Sequence, residues 1–216
     1  MASEAELRGA MVANQLRRRG VQNPRVLEAL GEIPRHRFVE ASLKDAYSDH
    51  PLPIGHGQTI SQPYMVALMT ELLAPEKGHR ILEIGAGSGY QTAVLARLCA
   101  HVYAVERIDE LAQKARSTLE ALDVANVTLA TGDGTQGWTA QAPFDGILVA
   151  AGAPSVPAPL LEQLREGGRL VIPVGKRQYQ ELQCFTKQSG RPVLHRDVAC
   201  RFVRLIGKHG WQDMTQ

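Results

Sequence analysis

The sequence predicts a doubly wound α/β fold, with a mostly parallel seven-stranded sheet and an N-terminal helical cap. From residue 80 onward, short apolar runs alternate with segments of helical periodicity, as in parallel βαβ units. Glycines cluster where the first of these runs ends, at residues 85–89. Before residue 34, in contrast, the apolar residues recur only at helical spacing. These three observations predict one domain of the α/β class.

The first sixty residues are expected to form the cap and a long loop. Leu7 and Met11 lie on one helical face, and a second helix is expected after the Asn23-Pro24 pair, so that residues 4–33 hold two helices. Residues 49–63, DHPLPIGHGQTISQP, carry too many prolines and glycines for a helix or a central strand. We therefore expect a long loop there, and long loops in compact domains are usually functional.

The remaining elements follow from apolar patterning. Helices are predicted at residues 64–73, 90–98, 109–122 and 159–165, and strands at residues 80–85, 101–106, 127–131, 144–150, 169–174, 181–187 and 193–206. The sequence shows no internal repeat, so residues 1–216 are interpreted as a single domain. Within it, residues 1–60 form the cap and loop, residues 61–176 the cofactor-binding core, and residues 177–216 the C-terminal strands on the substrate side.

Composition limits the classes of function. The 216 residues include 24 Lys and Arg against 22 Asp and Glu, a net charge of +2 that favours neither a nucleic-acid partner nor a membrane surface. Three cysteines lie far apart, which is typical of a reducing cytoplasm rather than of a disulfide framework. No secretory signal or membrane span is expected. The seven histidines lack ligand spacing, so no protein-bound metal is predicted.

The strongest local signal is the run LEIGAGSGY, in which the first predicted strand turns into a helix. Glycines at positions 85, 87 and 89 allow a tight turn and a close approach of a ligand to a helix N-terminus. The spacing is G-x-G-x-G rather than the dinucleotide pattern G-x-G-x-x-G, and Glu83 precedes it. An acid there favours a cationic or amine-bearing ligand. The alternative is that the glycines only allow close packing of helix and strand.

Two further acids are expected at the same edge of the sheet. Glu106 ends the next predicted strand, where an acid accepts hydrogen bonds from ribose hydroxyls in nucleoside-binding sheets. Asp133 follows the third strand. Each acid on its own could be an ordinary loop or capping residue, but together with the glycines they predict one ligand-binding crevice.

These motifs make the chain similar to a known family. The runs LEIGAGSGY, VYAVERI, GDGTQGW, APFDGILV and EGGRLVIPVG resemble the class I S-adenosylmethionine-dependent methyltransferases. The loop IGHGQTISQPYMVALM narrows the resemblance to the protein-L-isoaspartate (D-aspartate) O-methyltransferase family, which repairs damaged aspartyl and asparaginyl sites. The likeness covers nearly the whole chain. GQTISQP is specific to this family, whereas the glycine motif is shared by many methyltransferases.

The resemblance implies an activity and a set of roles. The family transfers a methyl group from S-adenosyl-L-methionine to the free α-carboxylate of L-isoaspartyl residues, and the resulting ester closes to a succinimide. Ser61 matches the family's active-site serine, Glu106 matches the ribose-binding acid, and residues 201–205 match a segment that holds the substrate peptide. The implied cofactor residues are Gln58, Thr59, Ile60, Ser61, Glu83, Gly85, Gly87, Glu106, Arg107, Asp133 and Gly134; the implied substrate residues are Thr59, Ser61, Val203, Arg204 and Leu205.

Methyl transfer to a carboxylate requires little from the protein beyond the positioning of the two reactants. A carboxylate with a pKa of about 4 is already ionised at pH 7, so no general base is needed, and His56 is interpreted as a loop residue. A neutral hydroxyl at Ser61 can orient the carboxylate without stabilising it too strongly. Ser61 could instead, or in addition, cap the helix that follows. The chain departs from the family at Thr135 and Arg204, and the added charge of Arg204 either alters peptide preference or is merely exposed.

Three other functions remain open from the sequence. A class I methyltransferase acting on a small-molecule carboxylate or on RNA would share the glycine motif, although not GQTISQP. An NAD-dependent oxidoreductase would share Glu106, although not the glycine spacing. A non-catalytic binding module could retain the fold. We expect a monomer that acts on isoaspartyl proteins and peptides.

Overall fold

The computed structural model describes residues 2–212, apart from the side chains of residues 196 and 197. Residues 213–216, the end of the predicted C-terminal segment, lie outside this range. The N-terminal helical prediction is confirmed, with one difference. The first helix, α1 (Glu4–Ala10), continues as a π-helix over Met11–Leu16 and a 3₁₀ turn over Arg17–Arg19, so the helical path is regular α-helix only in its first part.

The second helix, α2 (Pro24–Glu32), begins where the sequence predicts. The Asn23 side chain accepts hydrogen bonds from the backbone N–H groups of Arg25 and Val26, and proline occupies the first turn, where its missing N–H costs nothing. A 3₁₀ turn (Arg35–Phe38) and a single-turn helix, α3 (Leu43–Ala46), complete the cap.

The predicted loop at residues 49–63 is partly wrong, because it contains a small hairpin. Strands β1 (Leu52–Gly55) and β2 (Gln58–Ile60) pair antiparallel. The turn residues Gly55, His56 and Gly57 have φ angles of 94°, 52° and 68°, in the left-handed region that tight hairpin turns need. The glycines that suggested irregular chain therefore form the turn of a hairpin.

The alternation predicted after residue 63 is confirmed. The elements follow one another as α4 (Pro63–Leu73), β3 (Arg80–Ile84), α5 (Tyr90–Ala96), β4 (His101–Glu106), α6 (Asp109–Glu120), β5 (Val127–Thr131), β6 (Phe144–Val149), α7 (Ala158–Gln163), β7 (Leu164–Lys176), β8 (Tyr179–Gln188) and β9 (Arg191–Cys200). Two 3₁₀ turns, Gly134–Gln136 and Thr139–Gln141, lie between β5 and β6.

The main sheet has seven strands in the order β5-β4-β3-β6-β7-β8-β9. Strands β3 to β7 pair in parallel, and β8 and β9 add antiparallel pairs at one side. The order reverses around β3, which lies between β4 and β6. Ligands bind at such a switch point, outside the carboxyl ends of the strands.

Several predicted boundaries differ from the observed ones by one or two residues, and two differ more. The helix expected at residues 159–165 ends at Gln163, and β7 starts directly afterwards, so that Gly167 and Gly168 lie within the strand rather than before it. The strand expected at residues 193–206 is β9 followed by isolated bridges at Arg204 and Ile206. At the first of these boundaries, the pairing register between β6 and β7 is irregular. The first residues of β7 therefore pair with β6 before the predicted apolar run of the strand begins.

The cap and the sheet layer share one apolar core. Met11, Leu16 and Leu30 of the cap pack in the same buried cluster as Tyr90 and Val94 of α5. The cap is therefore anchored on the helix that follows the glycine turn. Within residues 2–212, no helix has the length and apolar character needed to cross a membrane.

Candidate active site

One cleft opens at the carboxyl edge of the parallel strands. Gly85 follows β3, Arg107 follows β4 and Ala150 follows β6, and all three line this cleft. The cleft is partly open to solvent, and the volume available to the centre of a water molecule within it is about 90 Å³. A crevice is therefore present at the predicted edge of the sheet, at the switch point of the strand order. Of the three acids expected there, only Glu106 lines it.

The glycine turn forms one wall of the cleft. Gly85 and Gly87 have φ angles of 85° and 55°, which residues with a side chain rarely adopt. A Cβ on Gly87 would lie 3.3 Å from Cδ1 of Ile54, another lining residue, and would narrow the cleft. Gly89, by contrast, faces α6, where a Cβ would lie 3.2 Å from that of Ala115. The packing alternative thus describes Gly89, whereas Gly85 and Gly87 shape the cavity.

Glu106 lines the cleft at the end of β4. Its side chain is buried, and its carboxylate accepts hydrogen bonds from the backbone N–H groups of Gly87 (2.8 Å) and Ile108 (2.9 Å). The remaining lone pairs of the carboxylate can accept further hydrogen bonds from a ligand. The arrangement can bind hydroxyl groups such as those of a ribose, which remains a prediction.

Glu83 lies behind this wall and does not line the cleft. Its side chain is completely buried, and neither carboxylate oxygen has a hydrogen-bond partner among the described residues. Burial raises the pKa of Glu83 to about 8 and outweighs a lowering by the nearby Thr92 hydroxyl, while the charge of Glu106 also raises it. The acid that was expected to flank the ligand is therefore held mainly as a neutral group beneath the glycine turn near pH 7.

Asp133 and Gly134 have different positions relative to the cleft. Gly134 lines the cleft, and a Cβ there would lie 2.4 Å from Cγ2 of Ile84. The Asp133 carboxylate does not line the cleft; it accepts hydrogen bonds from the N–H and hydroxyl of Thr135 and from the N–H of Lys208 (2.8 Å). Partial burial raises the pKa of Asp133, but these hydrogen bonds outweigh burial and hold it below its ordinary value. Asp133 therefore joins the C-terminal segment around Lys208 to the loop that follows β5.

The hairpin and the segment after it form the opposite wall. Gln58, Thr59, Ile60 and Ser61 all line the cleft, as the resemblance implies. Ser61 is half-buried and lies two residues before the first residue of α4.

The alternative role of Ser61 as a helix cap is wrong. The N-cap position of α4 is Gln62, which makes no side-chain capping bond. Asp49 instead accepts a hydrogen bond from the backbone N–H of Tyr64 (3.0 Å) and forms an ion pair with Arg19. The Ser61 hydroxyl is therefore left for the cleft.

The C-terminal segment closes the third side. Val203, Arg204 and Leu205, the residues implied to bind the substrate, line the cleft. Gly152 holds them against the sheet, because its N–H donates to the carbonyl of Val203 (2.7 Å) and its carbonyl accepts from the N–H of Leu205 (2.9 Å).

Other lining residues were not predicted from the sequence. They are apolar or uncharged: Ile54, Val66, Met69, Ile84, Ala86, Ser88, Tyr90, Gln91, Val105, Ile108, Ala150, Ala151 and Ile206. Tyr90 could have been inferred, since it ends the glycine motif. In the described part of the chain, no group of three or more His, Cys, Asp or Glu side chains could hold a metal ion.

Comparison with known proteins decides the family. The family profile of protein-L-isoaspartate(D-aspartate) O-methyltransferase matches residues 7–210. The chain belongs to this family. The resemblance inferred from GQTISQP and the glycine motif is thereby confirmed.

Relatives and solved structures agree. A protein-L-isoaspartate O-methyltransferase of Syntrophus aciditrophicus is 55% identical over 205 residues, which cover 93% of this chain and 94% of that protein. A solved protein-L-isoaspartate O-methyltransferase superposes with a TM-score of 0.84 at 31% identity, covering 96% of this chain and 67% of that one.

A second solved structure carries a bound ligand. A Plasmodium falciparum protein named as a beta-aspartate methyltransferase, in complex with S-adenosyl-L-homocysteine, superposes with a TM-score of 0.80 at 27% identity, covering 92% of this chain and 98% of that one. These likenesses confirm the predicted fold class, the Rossmann-like sheet of class I methyltransferases.

Proposed function

We propose that the protein transfers the methyl group of S-adenosyl-L-methionine to the α-carboxylate of L-isoaspartyl residues in proteins and peptides, and so starts their repair. Membership of the family supports the reaction. One observation of the site carries the proposal: Ser61 lines the same cleft as Gly85, Gly87 and Glu106. A serine that can meet an acceptor thus shares a cavity with a turn shaped to hold a nucleoside-bearing donor.

The residues present fit S-adenosyl-L-methionine. Gly85 and Gly87 leave space that a Cβ would narrow, Gly134 lines the same cleft, and the Glu106 carboxylate keeps lone pairs for ribose hydroxyls. When bound, this compound supplies an electrophilic methyl group on a sulfonium. The proposed binding residues are Gln58, Thr59, Ile60, Ser61, Gly85, Gly87, Glu106, Arg107 and Gly134; Glu83 and Asp133 are proposed to support the walls from behind.

The protein's task toward the acceptor is positioning. The isoaspartyl carboxylate is ionised at neutral pH, so the site needs no base to generate the attacking oxygen. We propose that the Ser61 hydroxyl donates a hydrogen bond that orients this oxygen, with Thr59 beside it on the same wall. Val203, Arg204 and Leu205 hold the peptide across the mouth. The methyl ester then closes to a succinimide, which reopens partly to normal aspartate.

The setting of the enzyme is also part of the proposal. We propose a single domain acting as a monomer in the cytoplasm, without nucleic-acid or membrane partners. The buried cluster that joins Met11 and Leu30 of the cap to Tyr90 of the core supports one domain. Thiols at Cys99, Cys184 and Cys200 in no disulfide support a reducing compartment.

Methyl transfer to a synthetic isoaspartyl peptide tests the proposal at its site. The wild type, Ser61→Ala and Ser117→Ala would be compared with a labelled methyl donor; Ser117 is exposed on α6, outside the cleft. We expect Ser61→Ala to lose about tenfold to a hundredfold in kcat, since one oriented hydrogen bond is removed, and Ser117→Ala to behave as wild type. No transfer by the wild type would overturn the proposed activity, and full activity of Ser61→Ala would overturn the role of Ser61.

A further inference from the structure

A wide groove continues from the cleft across the surface of the protein. It shares Gln58, Thr59 and Ser61 with the cleft on one side and Val203 and Arg204 on the other. Beyond these it runs over the hairpin turn, the start of α4 and the end of β9. An acceptor polypeptide that places one residue at Ser61 therefore has its neighbouring residues in this groove.

The groove is strongly basic. Five arginines line it: Arg19, Arg107, Arg177, Arg201 and Arg204. Among the described residues, no Asp or Glu lines it. The whole chain carries 24 basic and 22 acidic residues, so positive charge is concentrated on this face rather than spread evenly. A concave surface lined by one sign of charge attracts ligands of the opposite sign.

The arginines differ in how their charge is used. Arg19 is paired with Asp49, and its guanidinium lies 3.5 Å from the centre of the Tyr64 ring. Arg177 lies 5.6 Å from the centre of the Trp211 ring. Arg201 and Arg204 are exposed and form no ion pair with any side chain that the structure describes. Both residues lie on the segment that flanks the cleft. Their guanidinium groups can therefore contact a bound polypeptide directly.

We infer that the groove selects isoaspartyl sites that have acidic side chains within a few residues, and that Arg201 and Arg204 are the specificity-determining residues. This inference rests on the proposed function, because it concerns the flanks of the same substrate. Guanidinium groups bind carboxylates through paired hydrogen bonds, and each exposed pair contributes modestly, so two arginines give a preference rather than an absolute requirement. Degraded aspartyl and asparaginyl sites in acidic, exposed chain segments are the substrates that this surface fits.

A single-stranded nucleic acid is the other polyanion that a basic groove could hold. Such sites present aromatic rings on which successive bases stack. In this groove the aromatic lining residues are Tyr64 and Phe202, and the guanidinium of Arg19 covers a face of the Tyr64 ring. The groove therefore has the charge for a polyanion but little stacking surface, which favours an acidic peptide.

The test uses three peptides that share one isoaspartyl core and carry acidic, uncharged or basic side chains on both flanks. kcat/KM for methyl transfer would be measured for the wild type, Arg201→Gln, Arg204→Gln and the double variant, at low and high salt. Arg191→Gln is the matched control, because Arg191 is exposed at the other end of β9, outside the groove. Thermal unfolding would verify that each variant is folded.

We expect the wild type to prefer the acidic over the uncharged peptide, and the basic peptide to be the poorest. Each substitution should lower the acidic-to-uncharged ratio by about twofold to fivefold, and Arg191→Gln should leave it unchanged. The preference should shrink in high salt. Equal kcat/KM for the three wild-type peptides, or a ratio unaffected in the double variant, would overturn the inference.

Two other results would distinguish a failure of the inference from a failure of the proposed function. If a short single-stranded RNA competed with the uncharged peptide while acidic flanks brought no gain, the groove would be assigned to nucleic acid and the inference would be overturned. If no isoaspartyl peptide of any flank were methylated, the proposed function itself would be overturned, and the inference would fall with it. Methylation of the uncharged peptide without a flank effect would leave the proposed function intact.

Discussion

The carboxylate of Glu106 accepts a hydrogen bond from the backbone N–H of Gly87, with 2.8 Å between Oε2 and N. Its other oxygen accepts from the N–H of Ile108 at 2.9 Å. One side chain at the end of β4 thus fixes both the glycine turn after β3 and the start of the segment that leads into α6. The acid expected to bind a ribose also holds the backbone that would surround the donor.

Replacing Glu106 with glutamine should weaken donor binding. The amide can accept through only one atom, so one of the two backbone N–H groups loses its partner, and the charge that strengthens both bonds is removed. We expect the affinity for S-adenosyl-L-homocysteine, measured by calorimetric titration, to fall about tenfold to a hundredfold. Glu110→Gln, at an exposed position on α6, is the control. Equal affinities for the two variants would contradict this role of Glu106.

Substitution by alanine should have very different effects on stability at two glycines of the loop that follows β5. A Cβ at Gly134 would lie 2.4 Å from Cγ2 of Ile84, whereas a Cβ at Gly132 meets nothing within 4 Å. We expect Gly134→Ala to lower the free energy of unfolding by about 1–3 kcal/mol and to weaken donor binding, since Gly134 lines the cleft. Gly132→Ala should change neither by much. Urea unfolding of both variants measures the difference, and equal stabilities would show that Ile84 yields without cost.

Glu83 should make stability fall as the pH rises. Its pKa is raised from 4.5 to about 8 in the folded protein, chiefly by burial. Between these values the unfolded chain has lost a proton that the folded chain keeps, so higher pH favours unfolding. Relative to Glu83→Gln, the wild type should lose stability from about pH 5 to about pH 8. Urea unfolding at several pH values tests this, and parallel curves for the two proteins would contradict it.

Asp133 should have the opposite dependence. Hydrogen bonds from Thr135 and Lys208 hold its folded pKa below the ordinary value of 3.8, so its contribution is present above that pH and is lost as the pH falls through the lower folded value. Asp133→Asn should cost about 1 kcal/mol at pH 7, a modest value because the group is partly exposed to solvent. The difference from wild type should shrink below pH 4, and a constant difference would contradict the account.

The sheet was largely predictable from the sequence. Strands β3, β4 and β5 agree with the predicted ranges to within one residue, because buried parallel strands are continuous apolar runs bounded by loops. The hairpin of β1 and β2 was not predicted. Its strands are short and Pro53 lies within β1, so the same prolines and glycines are equally typical of an irregular loop.

The side-chain partners were much less predictable. Motifs brought Ser61, Gly85 and Glu106 to one cleft, but they did not show that Asp49 caps α4 or that Asp133 holds the segment around Lys208. The Asp133–Lys208 contact joins residues 75 positions apart, so no local spacing reveals it. Glu83 had the right motif position, yet only the packing around it shows that it lies behind the cleft wall.

The most direct measurement compares two synthetic peptides with uncharged flanks, identical except that one contains isoaspartate and the other normal aspartate, with a labelled S-adenosyl-L-methionine as donor. The account predicts label in the isoaspartyl peptide alone, released by mild base as expected of a methyl ester. Equal labelling of both peptides, or labelling of neither, would contradict the proposed function while leaving the fold and family unchanged.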